Sequence, residues 1–280
     1  MRNKDEYDRI NNRFSLLKKE KRKGLITFIT ALDPNIDVFE KILNGLPNAG
    51  ADFIEIGIPF SDPMADGPSI QLSSRRVLEN KFQLKQLFYS LSKLRKTDDV
   101  TPVILMGYYN PIFSFGIKKF VDSAVSVGVD ALIVVDLPPE EADELYQEAN
   151  AKNLHLIFLI APTTNEQRFS VILEKASGFL YYVSIKGITG TSSPDMSQVE
   201  ERVNLVRSKT SLPIAVGFGI KSEKQAYDFA KCSDAVVVGS AIVDIITENI
   251  NGSEKSFNSL PSKVFDFVNT LSKGVTGSSF

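Results

Sequence analysis

The stretch that decides the fold is ADFIEIGIPFSDPMADGP, residues 51–68. Its first part, Ala51–Ile56, is a short apolar run without clean polar alternation. Such a run suits a parallel strand buried on both faces. Alternation puts Phe53, Glu55 and Gly57 on one face and Ile54, Ile56 and Ile58 on the other. Pro, Ser, Asp and Gly then take over, the composition of a loop. Helix-like patterning follows over 67–80 and again over 82–95. The segment is therefore one strand–loop–helix unit.

Reading outward, the same unit recurs along the chain. Seven further apolar runs lie at Leu25–Thr30, Pro102–Met106, Ala131–Val135, His155–Ile160, Phe179–Ser184, Pro213–Val216 and Ala235–Val238. Helical patterns separate them, among them Val38–Leu46, Ile117–Val127, Glu140–Ala151, Gln198–Lys209 and Ser222–Ala230. A faint repeat marks the units, with Asp52, Asp130 and Asp234 each standing between a helix end and a strand. Eight such units predict an α/β protein of the (β/α)8 TIM-barrel type. A doubly wound open sheet is the competing architecture, and the strand count and even spacing favour the closed barrel.

Residues 1–23 are expected to form a leading helix that caps the barrel bottom, with Tyr7, Ile10, Phe14 and Leu17 on one apolar stripe. A last helix is expected over Lys263–Leu271, then a frayed tail at 274–280. The whole of 1–280 is expected to be a single barrel domain.

Composition narrows the chemistry. The 280 residues carry 32 Lys and Arg against 34 Asp and Glu, so nothing advertises a nucleic-acid or membrane surface. The charged N-terminus, MRNKDEYDRI, does not read as a secretory or transit signal, so a cytoplasmic or plastid-stroma location is expected. The single cysteine, Cys232, suits a reducing compartment. With one His and one Cys, a zinc site is not expected. The chemistry must then come from carboxylates, hydroxyls, lysines and backbone dipoles.

In a barrel the functional end is the C-terminal end of the strands. The outer face of Ile54, Ile56 and Ile58 should meet helices, so Glu55 should point into the barrel near its mouth. Burial raises a carboxyl pKa toward neutral, which suits a proton donor or acceptor. Asp66 lies eleven residues further on, within reach of a loop that folds back. Two carboxylates in different settings make an acid–base pair. The plainer reading is an internal salt bridge for Glu55 and turn chemistry for Asp66; for Asp62 the turn reading is preferred.

Glycines cluster at three consecutive strand ends. Gly217, Phe218 and Gly219 close one strand, Gly239 and Ser240 close the next before a helix, and KGITGTSS (186–193) follows the strand before both. Backbone N–H groups beside glycine and a helix N-terminus suit a phosphate, and the 186–197 loop suits a lid. Lys186 is a candidate Schiff-base lysine. His155 and Cys232 read as structural residues, and Asn110 as turn chemistry. Tyr108 is placed to offer a ring or hydroxyl at the mouth.

Residues 55–68, EIGIPFSDPMADGP, closely resemble the signature of the tryptophan synthase alpha chain family. The resemblance extends to FITALDP (28–34), MGYYNP (106–111), DALIVVDLP (130–138), GITG (187–190), GFGI (217–220) and GSAI (239–242). It implies a (β/α)8 barrel and a carbon–carbon lyase that cleaves indole-3-glycerol phosphate to indole and glyceraldehyde 3-phosphate, with no cofactor in this chain. By resemblance, Glu55 protonates indole C3 and serves the proton transfers, and Asp66 accepts the indole N–H. Phe28, Tyr108 and Tyr182 line the site, with Tyr182 near Glu55, and Phe218 joins the substrate-binding set. The backbone of Gly190, Gly219, Gly239 and Ser240 holds phosphate, and Thr189 sits on the mobile loop near Asp66.

The resemblance also implies a partner, the beta chain with its pyridoxal phosphate, in an α2β2 heterotetramer that passes indole onward for L-tryptophan synthesis. Asp62 and the Asn110–Pro111 turn resemble its contact surface. One departure is Leu32, where the family often has Gly. Residue patterns alone leave two rivals: another sugar-phosphate barrel enzyme, such as an epimerase or a Lys186 aldolase, and a catalytically silent activating subunit.

Overall fold

A computed structural model describes residues 8–183, 196–250 and 254–278, with side chains from 257 onward in the last segment. The strands are β1 (Gly24–Thr30), β2 (Phe53–Gly57), β3 (Val103–Gly107), β4 (Ala131–Val134), β5 (His155–Leu156), β6 (Phe158–Ile160), β7 (Leu180–Val183), β8 (Ile214–Gly217) and β9 (Ala235–Val238). All pair in parallel, in the order β5-β4-β3-β2-β1-β9-β8-β7-β6. The two ends of that order are halves of one segment, broken only at Ile157. The lower half pairs with β4 and the upper half with β7, so the ring closes through this strand. The nine pieces are thus the eight strands of a (β/α)8 barrel.

Helices flank the ring: α1 (Arg9–Lys19), α2 (Ile36–Gly45), α3 (Pro68–Glu79), α4 (Leu84–Leu94), α5 (Tyr109–Phe115), α6 (Ile117–Ser126), α7 (Asp143–Ala151), α8 (Glu166–Lys175), α9 (Met196–Arg207), α10 (Glu223–Cys232), α11 (Ser240–Ile250) and α12 (Glu254–Gly277). The predicted Glu140–Ala151 helix is split, because Pro139–Glu141 forms its own short 3-10 turn before α7. The expected turn at Asn110 is instead the first turn of α5.

Two apolar layers result from strand alternation. The outer one joins Ile54, Ile56 and their neighbours to the helices. The inner one fills the barrel with Ile26, Phe53, Ile104, Ile133, Ile157, Phe179, Ala215 and Val237. Helix α1 closes the bottom: Ile10 and Leu17 enter the inner layer, and the Phe14 ring lies 4.7 Å from that of Phe53. The cap is shorter than 1–23, because Glu20–Lys23 turns the chain into β1.

The repeated Asp residues serve this bottom face. Each carboxylate accepts an N–H at the start of a neighbouring strand: Asp52 from Leu25 at 3.0 Å, Asp130 from Val103 at 2.8 Å and Asp234 from Ile214 at 2.9 Å. Each also takes an arginine, from Arg22, from Arg9 and Arg95, and from Arg207 respectively. The sequence repeat is therefore a strand-start clamp.

The expected frayed tail at 274–280 is corrected over 274–277, which continue α12. Leu260, Val264, Val268, Leu271 and Val275 form one buried stripe, so the helix keeps burying side chains past Leu271. Its end packs close to α10, where a Cβ at Gly274 would stand 2.4 Å from the Glu223 carbonyl oxygen.

Candidate active site

Register places Glu55 on β2 between Phe28 of β1 and Ile104 of β3. Its side chain points into the barrel and is 1% exposed. Among the described residues only two buried side-chain polar atoms lack a hydrogen-bond partner, Glu55 Oε2 and Asp98 Oδ2. The Asp98 carboxylate already receives the Val100 and Thr101 N–H groups through its other oxygen. Among the described residues, no such compensation reaches Glu55. Burial, reinforced by the negative charge of Asp66, pushes the Glu55 pKa up to about 8. At neutral pH it is a protonated acid.

Asp66 comes from the loop between β2 and α3. Its N–H bonds to the Pro63 carbonyl at 3.1 Å, and its own carbonyl accepts from Gln71. Burial raises its pKa to about 6, against a lowering by the Tyr108 hydroxyl. The two carboxyls face each other closely enough to influence charge, and only Glu55 holds its proton at neutral pH.

Aromatic rings wall the mouth. Phe28 lies over Gly57, where a Cβ would meet the ring at 2.4 Å, and beside Gly239. Tyr108 is buried, packs 5.0 Å from the Phe60 ring, and accepts the Ala65 N–H at 3.0 Å.

The position expected for Tyr182 belongs to Tyr181. Alternation along β7 sends Phe179 and Tyr181 inward and Leu180 and Tyr182 outward. Tyr181 feels the charge of Glu55, which helps push its phenol pKa upward after burial itself. Tyr182 instead packs outside the ring, 5.7 Å from Phe218, and Phe218 stacks on Phe229 at 5.1 Å. The inward alternation from Phe179 was the sequence signal for Tyr181. Asp136 is a second residue that sequence reasoning missed; its carboxylate accepts the Tyr109 N–H at the start of α5.

Opposite the carboxylates, β8 ends at Gly217 and β9 at Val238. Gly219 is exposed with φ +65°, a conformation that glycine adopts without strain. The Gly239 carbonyl accepts from Ile242 and Val243, so the Ser240 and Ala241 N–H groups fall outside the ladder of α11. Free N–H groups at a helix start suit an anion. Thr189, Gly190 and Lys186 lie outside the described residues. His155 bonds to Asp8 at the barrel bottom, and Cys232 is buried at the end of α10, both away from the mouth.

Fold and site together define a (β/α)8-barrel protein with two carboxyls close to one another at the mouth of the barrel. A family model described as Tryptophan synthase alpha chain matches residues 14–272, and the chain belongs to that family. Its members are lyases that bind no pyridoxal phosphate of their own, and the family's function is cleavage of indole-3-glycerol phosphate in tryptophan biosynthesis. Solved structures agree. Tryptophan synthase subunit alpha from Legionella pneumophila str. Paris is 35% identical, with TM-score 0.88, over 96% of this chain and 99% of that one. A tryptophan synthase alpha chain from Legionella pneumophila subsp. pneumophila is 34% identical, with TM-score 0.86, over 96% and 97%. Mycobacterium tuberculosis tryptophan synthase is 28% identical, with TM-score 0.85, over 96% and 98%.

Proposed function

We propose that Glu55 and Asp66 carry this cleavage between them. The observation that supports it is the Glu55 carboxyl, held inside the barrel, with its Oε2 unpartnered among the described residues, and protonated at neutral pH. Glu55 gives its proton to indole C3, which makes the ring a cationic electron sink. Asp66, ionised, accepts the ring N–H and stabilises the positive charge. The carbon–carbon bond to C3 then breaks as the adjacent glycerol hydroxyl gives its proton to the Glu55 carboxylate left by the first step. The hydroxyl's carbon leaves as the aldehyde of glyceraldehyde 3-phosphate, and the bonding electrons return to the ring as indole. Phe28 and Tyr108 flank the ring, while Gly219, Gly239 and Ser240 bind the phosphate through backbone N–H groups.

The beta chain, with its pyridoxal phosphate, is the partner on this reading, and the assembly is α2β2. A surface beside the mouth supports it. Met64, Leu72 and Phe113 are 81%, 54% and 59% exposed, and Leu72 lines a groove of about 700 Å³ together with Phe60, Pro63 and Pro68. Asp62 and Asn110 are exposed on the same rim. The free Cys232 thiol suits a reducing compartment, and the cytoplasm or a plastid stroma is proposed.

The test is indole release from indole-3-glycerol phosphate, with and without a beta chain, by the wild type, Glu55→Gln and Asp66→Asn. Each variant should lose at least ~10²-fold, the scale of a removed general acid or base. Wild-type turnover in Glu55→Gln overturns the assignment.

A further inference from the structure

We infer that Tyr108 is the positioning residue of Asp66: its hydroxyl accepts the Ala65 N–H and turns its own proton toward the Asp66 carboxylate, fixing that carboxylate at the barrel mouth. The inference rests on the role proposed for Asp66.

The geometry carries it. Tyr108 is the first residue after β3 and the N-cap of α5, yet its side chain makes no cap bond. It crosses instead to the loop after β2, where its oxygen lies 3.0 Å from the Ala65 nitrogen. That contact uses an oxygen lone pair and leaves the O–H free to donate. Ala65 is exposed and Asp66 only partly covered, so little packing holds this stretch. Polar anchors supply what packing does not.

The ring itself is locked, 3% exposed and packed against Phe60. The backbone on its other side is tied down too, since Asp136 takes the Tyr109 N–H at 2.8 Å. A rigid ring thus holds its hydroxyl on the Ala65 N–H, one residue away from Asp66.

The charges facing the hydroxyl are Asp66 from the β2 loop and Asp136 from the segment after β4. Glu55 faces Asp66 from β2, and Tyr181 faces Glu55 from β7. Burial and these carboxylates raise the Tyr108 pKa, so the phenol stays a donor across the working range. Its interaction with Asp66 lowers that carboxyl's pKa and favours the ionised form.

Tyr108→Phe keeps the ring and removes only the hydroxyl. In the intact chain, kcat/KM for indole release should fall about tenfold at neutral pH, the scale of a lost hydrogen bond to a charged group. The acid limb of its pH profile should move upward and the alkaline limb should stay. In an Asp66→Asn background the same change should cost less than about twofold, since coupled groups are not additive. A second readout needs no turnover: the carbon-13 titration of the Asp66 carboxyl should shift upward in Tyr108→Phe. An unmoved acid limb and an unmoved carboxyl titration overturn the inference even if kcat falls. A wild type that releases no indole instead overturns the functional reading, and the carboxyl titration still decides the positioning.

Discussion

The Tyr181 hydroxyl lies against the backbone of Gly217, so close that a Cβ at 217 would stand 2.5 Å from the phenolic oxygen. The ring edge leaves no more room, with Cε2 at 2.7 Å from the same point. Tyr181 is also the aromatic residue that feels the charge of Glu55. A terminal strand glycine thus governs where the ring that feels Glu55 can sit.

Gly217→Ala should therefore act on the site by displacing Tyr181. Overpacking of this kind costs roughly 1–3 kcal/mol of stability, and indole release should drop with it. Pairing the change with Tyr181→Leu, which removes the crowding ring edge, should recover most of the lost stability. Equal melting temperatures for Gly217→Ala and the wild type would show that the space is not as tight as the geometry requires.

The rate should depend on pH in a bell. On the mechanism proposed above Asp66 works ionised, so kcat/KM should rise through about 6. Glu55 must hold its proton, so kcat/KM should fall through about 8. Glu55→Gln should keep only a small residual rate without the alkaline limb. A wild-type rate still climbing beyond the Glu55 value would contradict the acid role.

The same buried acid should weaken the fold as pH rises. Its folded pKa of about 8 lies above the ordinary value of 4.5. The folded chain therefore binds a proton that the unfolded chain releases, and stability is lost as pH climbs between those two values. Glu55→Gln has no proton to lose. Its advantage over the wild type should grow across that window to a few kcal/mol, in line with a shift of several pKa units. Thermal melts of both proteins at the two ends of the window check this; a constant difference would mean that the carboxyl is not desolvated.

Much of this was legible before any coordinates, for identifiable reasons. Strands buried on both faces write themselves as short apolar runs, and alternation put Glu55 inside because only one face of β2 is all isoleucine. The three bottom Asp residues stood out as a repeat because each performs the same clamp. Tyr182 was misplaced because two adjacent tyrosines offer identical chemistry and only register separates them. The end of α12 was missed because Gly274 reads as a helix end, while Val275 is held by neighbours distant in sequence. The Tyr108–Ala65 contact joins loops 43 residues apart, which local patterns do not encode.

Leu32 gives an inverted ranking of substitutions. It holds φ +61° and is 7% exposed. A non-glycine residue there costs roughly 1–2 kcal/mol, while burying its side chain contributes about 1.5–3 kcal/mol. Leu32→Ala loses the burial and keeps the strain. Leu32→Gly loses the burial and sheds the strain. Denaturant midpoints should therefore rank Gly above Ala at position 32, against the usual order. Alanine above glycine would mean that the backbone there is not strained.

Asp130 should separate stability from catalysis. Its carboxylate is buried at the barrel bottom, with Arg9 and Arg95 each at 2.9 Å and the Val103 N–H at 2.8 Å. Asp130→Asn keeps the shape but takes from Arg95 its carboxylate, while Arg9 retains Asp99. Breaking a buried pair in this way costs about 3–5 kcal/mol. The change lies at the opposite end of the strands from Glu55, so protein that remains folded should release indole at close to the wild-type rate. Asp66→Asn should do the reverse, holding the denaturant midpoint and losing turnover. Measuring midpoint and kcat for both variants at one temperature tests the pair. An Asp130→Asn protein with an unchanged midpoint and lost turnover would place function at the wrong end of the barrel.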